Sequence, residues 1–124
     1  MGEEEVSGME TWVTGEAVFA GRPSLPPDAI LRVLLLDTTY ADAPSEILAE
    51  GEFPNVAEFA SRGKPFPFRL RTVIPDRRIQ CRIWAHVKTR GNAIHPGDYV
   101  TTQSYPVLTY GHPGRVAIEL TRVE

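Results

Sequence analysis

The stretch 79–89, IQCRIWAHVKT, alternates without a break: Ile79, Cys81, Ile83, Ala85 and Val87 share one parity, and Gln80, Arg82, Trp84, His86 and Lys88 share the other. Successive side chains of a strand point to opposite faces, so a strand sorts this sequence into an apolar and a wet side. A helix would wind the two sets around one another. A lone strand is not stable in water, so the rest of the chain must supply partners with the same period. It does. In WVTGEAVFA (12–20), Val13, Gly15, Ala17 and Phe19 face one way and Thr14 and Glu16 the other. In 29–38, Leu31, Val33 and Leu35 form one face, and Ile30, Arg32, Leu34 and Leu36 form a second that is nearly as apolar. The LPPD that leads into this run also reads as a helix start, with proline in the first turn. Its period-two neighbours decide for a strand.

The remaining segments are of the same kind. EILAEGEF (46–53) is a weaker strand with Ile47 and Ala49 on one face. PFPFRLR puts Phe66, Phe68 and Leu70 on one side and Arg69 and Arg71 on the other, and its prolines suit an edge. A threonine-rich strand spans 99–103, and 114–123 closes the chain with Val116, Ile118 and Leu120 inward. Only NVAEFASRG (55–63) departs, as one or two helical turns capped by Asn55 and stopped by Gly63. Eleven prolines and ten glycines in 124 residues punctuate the strands. The expected fold is all-β: an antiparallel β-sandwich of about seven strands, immunoglobulin-like or transthyretin-like, or a flattened barrel, with one short helix in the middle. Residues 1–11, acidic and with little to bury, are expected to be a disordered N-terminal segment, and 12–124 a single β-sandwich domain.

Several chemistries are hard to build from this chain. It carries no glycine-rich phosphate loop, nucleophile elbow or HExxH. Cys81 is the lone cysteine, and its parity places it on the apolar face of its strand, away from His86, so a core thiol is expected rather than a nucleophile. His95, Asp98 and His112 stand in loops beside proline or glycine, where polar turn residues are usual, and their spacing matches no metal pattern. The expectation is a protein that is not an enzyme and uses no cofactor and no metal. No window of about 18 apolar residues occurs, so no membrane span is expected. The start MGEEEVSGMETW is acidic where an export signal would be basic and then apolar. The expected compartment is the bacterial periplasm or outer membrane if a signal has been trimmed, and the cytoplasm if the chain is complete as given.

Charge is divided unevenly. The first 60 residues hold twelve carboxylates against Arg22 and Arg32, and the last 64 hold eleven basic side chains against four acidic ones. Pairing of acidic with basic strands accounts for this division. A sharper alternative is a basic face for an anionic ligand or nucleic acid, built from Arg69, Arg71, Arg82 and Lys88. On the wet side of 79–89, Arg82, Trp84, His86 and Lys88 alternate, and Arg69 and Arg71 are expected on a neighbouring strand, interleaving cations with an exposed aromatic. Arg69, Arg71, Arg82, Trp84, His86 and Lys88 are therefore the candidate binding residues. The net charge of −3 disfavours nucleic acid and leaves a protein partner as the expectation.

The order VTGEAVF, LPPDAILRVLLLD, ADAP, PFPF, IQCRIWAHV, YPVLTYGHP and VAIELTRV resembles the YbaY/YscW family of small bacterial lipoproteins, from about Val13 to Val123. The resemblance implies a compact all-β domain, usually anchored to the outer membrane by a lipidated cysteine behind a signal peptide. It also implies, for the YscW branch, a pilot or chaperone that helps a ring-forming secretin reach and assemble in the outer membrane. A partner would then be held at an exposed sheet edge, by strand addition, or on the face of Trp84.

Overall fold

Every segment that alternates in sequence finds a hydrogen-bonded neighbour. In the computed structural model, which describes residues 9–124, eight strands and one short helix occur among the described residues. They are β1 (Glu10–Phe19), β2 (Ile30–Asp37), β3 (Glu46–Phe53), α1 (Val56–Ser61), β4 (Phe66–Val73), β5 (Cys81–Lys88), β6 (Tyr99–Thr101), β7 (Tyr105–Pro106) and β8 (Arg115–Arg122). Residues 1–8 of the expected N-terminal segment lie outside the described residues. β1 begins at Glu10, so residues 10 and 11 are already strand.

The strands form one sheet in the order β3-β2-β5-β6-β8-β1-β4, with β7 also on β5. The all-β expectation holds, but the sheet curls into a nearly closed barrel instead of dividing into two layers. Its pairs are antiparallel except one: β1 runs parallel to β8, from Thr14 opposite Arg115 to Phe19 opposite Leu120. Strands so far apart in sequence are free of the hairpin constraint that forces neighbours to run antiparallel.

The two ends of this order, β3 and β4, share no ladder and are joined by side chains. Phe53 of β3 meets Phe66 edge-on with centroids 6.5 Å apart and Phe68 at 6.2 Å. α1 lies against the same seam, with Phe59 edge-on to Phe66 at 5.0 Å and Val56 and Ala60 buried. Asn55 stands at the N-cap of this helix, but its backbone is left-handed (φ 72°) and its side chain makes no cap bond, contrary to expectation. The expected stop holds: Gly63, at φ 65°, donates its N–H to the Ala60 carbonyl at 3.1 Å.

The interior collects the inward parities. Val13, Ala17, Leu31, Val33, Leu35, Ala85, Val87, Ile118 and Leu120 are fully buried, with Cys81 and Ile83 nearly so. One expectation fails in β3. The register shifts between Leu35 and Leu36, so that Ala49 and Ile47 pair while Leu48 is left out of the ladder. This bulge turns Ile47 to solvent and leaves Leu48 and Ala49 partly buried against the core.

Candidate partner-binding surface

The outward residues of β5 do not form the wet row that their parity suggests. His86 is wholly buried, and its Nε2 lies 2.8 Å from Asp98 Oδ2. Asp98 also accepts the His95 backbone N–H at 2.9 Å and the Thr89 hydroxyl at 3.3 Å. The connection from β5 to β6 is thus fastened to the barrel wall by one buried carboxylate, and His86 lies beneath it. Burial pushes the Asp98 carboxyl up, but hydrogen bonds from His86 and from the His95 amide prevail and hold it below its ordinary value. Trp84 is half-buried, its ring centroid 5.9 Å from that of His86. Lys88 donates to Glu52 Oε2 and to Asn92 Oδ1, both at 2.6 Å, and Arg82 Nε donates to Thr38 Oγ1 at 2.9 Å. The expectation that Trp84 and His86 stand in solvent is therefore corrected: His86 is buried beneath Asp98 of the 89–98 connection, and Trp84 is half-buried beside it. Such a cover leaves no trace in strand parity.

The loop groups also separate. Asp98 serves His86, whereas His112 lines a small concavity (≈ 210 Å³) with Gln80, Cys81, Arg82, Thr109 and Tyr110. Among the described residues no three metal-ligating side chains converge. Cys81 is a core thiol whose ionisation burial pushes up.

Arg69 and Arg71 stand elsewhere, because β4 pairs with β1 and not with a neighbour of β5. The expected shared face with Trp84 is not formed. They belong to the outer face of β1, β4 and β8, whose register can be read row by row. Arg71 is opposite Trp12, Arg69 and Arg115 flank Thr14, and Pro67 and Ala117 flank Glu16. Trp12 is 44% exposed, and the Arg69 guanidinium lies over its ring, 4.1 Å from the centroid. Arg71 Nε donates to Glu10 Oε1 at 2.7 Å. Between the rows lies an open concavity of ≈ 570 Å³ lined by Thr14, Glu16, Pro67, Arg69, Arg115 and Ala117. Beneath it Gly15 shares the inward parity of Val13 and Ala17, and a Cβ there would stand 2.5 Å from Phe68 Cζ and 2.6 Å from the Val116 carbonyl oxygen.

Trp12 and Arg115 were not among the sequence candidates, although parity with Thr14 and Glu16, and with Ala117 and Glu119, carries the signal for both. Residues 9–120 match the family described as type III secretion system lipoprotein chaperone (YscW). The chain belongs to the YscW family. Trp12, Arg69 and Arg115 all lie within the matched span. The uncharacterized lipoprotein YbaY of Escherichia coli (strain K12) is 31% identical over 102 residues, which is 80% of this chain and 49% of that protein. The chain thus spans about half the length of the curated relative it matches. An alternative pilotin from the type II secretion system of Vibrio cholerae has the same fold, with a TM-score of 0.76 at 24% identity over 93% of this chain and 98% of that one.

Proposed function

We propose that this YscW-family protein is a non-enzymatic binding module of the bacterial envelope that acts as a chaperone or pilot for a protein partner, a secretin being the expected kind. The match of residues 9–120 to a family of lipoprotein chaperones carries this reading. Likeness in fold to a pilotin supports it. So does the surface. Of the four cations offered above as a basic face, Arg71 and Lys88 hold carboxylates, Arg82 holds Thr38, and Arg69 stands on a different part of the barrel from Arg82 and Lys88. A polyanion would find no continuous track on them. Among the described residues no helix is long and apolar enough to cross a membrane.

The direct test is calorimetric titration of the purified protein with the periplasmic C-terminal region of a secretin from the same organism. It is combined with a count of heat-resistant secretin multimers in cells that lack this protein. Saturable binding and a loss of multimers are expected. No binding together with unchanged multimers would overturn the reading.

A further inference from the structure

Arg69 and Arg115 occupy one row of the outer face, on either side of Thr14, which places their backbones two strand spacings, about 10 Å, apart. Neither pairs with a carboxylate among the described residues, whereas Arg32, Arg62, Arg71, Arg78 and Lys88 each do. Both are exposed, and Arg69 is held in place by the Trp12 ring beneath it. Apolar surface adjoins them in Trp12, Pro67, Val18 and Ala117, the last three of which point outward with Glu16 and Glu119. The face therefore offers two cations with no carboxylate partner among the described residues, a large exposed aromatic, and a shallow trough lined in part by Glu16.

We propose that this face of β1, β4 and β8 docks an extended segment of a partner protein in which every second side chain faces the sheet and these facing side chains are by turns carboxylate and apolar. The inference rests on the chaperone reading above and narrows it to one face and one partner chemistry. A carboxylate of the segment lies between Arg69 and Arg115, and the apolar side chains two residues to either side of it, which point the same way, rest on Trp12 and Pro67. Charge selects this occupant. Glu16 stands one row beyond the arginines and Glu119 two rows beyond, on the same side, and both repel a run of phosphates continuing along the face, so a nucleic acid or an anionic lipid surface is a worse fit than a peptide with spaced carboxylates. A second copy of the chain is a worse fit too. The acidic strand it would offer is β3, and Glu50 and Glu52 there are already held by Arg32 and Lys88.

The test titrates the protein into a fluorescein-labelled octapeptide in which leucine and aspartate take turns at every second position with serine between them, followed by anisotropy. The same peptide with asparagine for aspartate, a labelled oligothymidylate and phosphatidylglycerol vesicles serve as the other arms. The aspartate peptide is expected to bind saturably. The double variant R69A/R115A should weaken it about tenfold or more, W12A should also weaken it, and R62A, which removes an arginine already paired with Glu58, should leave it unchanged. The altered side chains are exposed, and an unchanged circular dichroism spectrum separates loss of binding from loss of fold. Equal binding of the asparagine peptide, or wild-type binding by R69A/R115A, overturns the proposal. So does tighter binding of the oligonucleotide or the vesicles through the same arginines, or a wild-type dimer that R69A/R115A dissolves. If a secretin region binds R69A/R115A as well as it binds the wild type, the chaperone reading stands and this face does not. If the aspartate peptide binds and no secretin region does, the face stands and the secretin partner falls.

Discussion

Replacing Gly15 by alanine probes the packing beneath the docking face, and two opposing effects set the result. Gly15 is not among the residues with positive φ, so alanine suits its backbone, and the stiffer unfolded chain contributes about 0.4–1 kcal/mol of stability. Against this, the new methyl would stand 2.5 Å from Phe68 Cζ and 2.6 Å from the Val116 carbonyl oxygen. The ring can turn aside. The carbonyl cannot move without disturbing β8, which is held in parallel register to β1 from Thr14 to Phe19. Overpacking of a rigid site costs about 1–3 kcal/mol, so the net expectation is a loss of about 1–2 kcal/mol. Urea unfolding followed by far-ultraviolet circular dichroism should show a lower midpoint with an unchanged slope. Gly15→Ala combined with Phe68→Leu relieves the ring contact but not the carbonyl contact. It should therefore fall short of the stability of Phe68→Leu alone. A Gly15→Ala variant as stable as the wild type would refute the packing analysis.

Three further outcomes follow from named contacts. Asp98→Ala leaves His86 buried without its partner and unfastens the 89–98 connection, at a cost of about 3 kcal/mol, with faster amide hydrogen exchange confined to that connection at first. The Asp98 carboxyl is held below its ordinary value of 3.8, so the folded protein binds that proton less readily than the unfolded chain. Its stabilisation is complete above about pH 5 and is lost as pH falls through 3.8 towards the folded value, so the acid limb of a stability profile should be flatter in Asp98→Asn than in the wild type. Glu52→Ala, which breaks a pair whose carboxylate is exposed, should cost no more than about 1 kcal/mol in the same urea assay, and less still at high salt.

The sequence made the faces legible because strand parity is a local property. Leu31, Val33 and Leu35, or Cys81, Ile83, Ala85 and Val87, point inward whatever lies beside them. Which strand lies beside which is not local. Nothing in PFPFRLR tells whether β4 joins β1 or β5, and the candidate surface turned on that choice. Nor does parity register what covers an outward face. His86 has the parity of Arg82 and Lys88 yet is fully buried, because a carboxylate twelve residues on, in a loop, reaches back to it. The bulge at Leu48 is a third case: one extra residue in the ladder reverses the sides of Ile47 and Leu48, and the short run EILAEGEF satisfies either register.

The way the barrel closes decides between a face and an edge as the place for a partner. A strand-adding ligand needs a row of open backbone groups. The ends of the ladder here are β3 and β4, and they confront one another across the seam of Phe53, Phe66 and Phe68, with Phe59 of α1 packed on Phe66. β3 is bulged at Leu48 and carries Glu46, Glu50 and Glu52 outward, and β4 carries Pro67, which has no N–H to give. Bulges, charge and proline are the features that keep a strand edge from pairing with another chain. To enter this edge, a partner strand would have to part the aromatic seam and displace α1. Docking on β1, β4 and β8 asks for neither, since Trp12, Arg69 and Arg115 already stand in solvent, and β1 is paired with both β4 and β8 from Thr14 to Ala17.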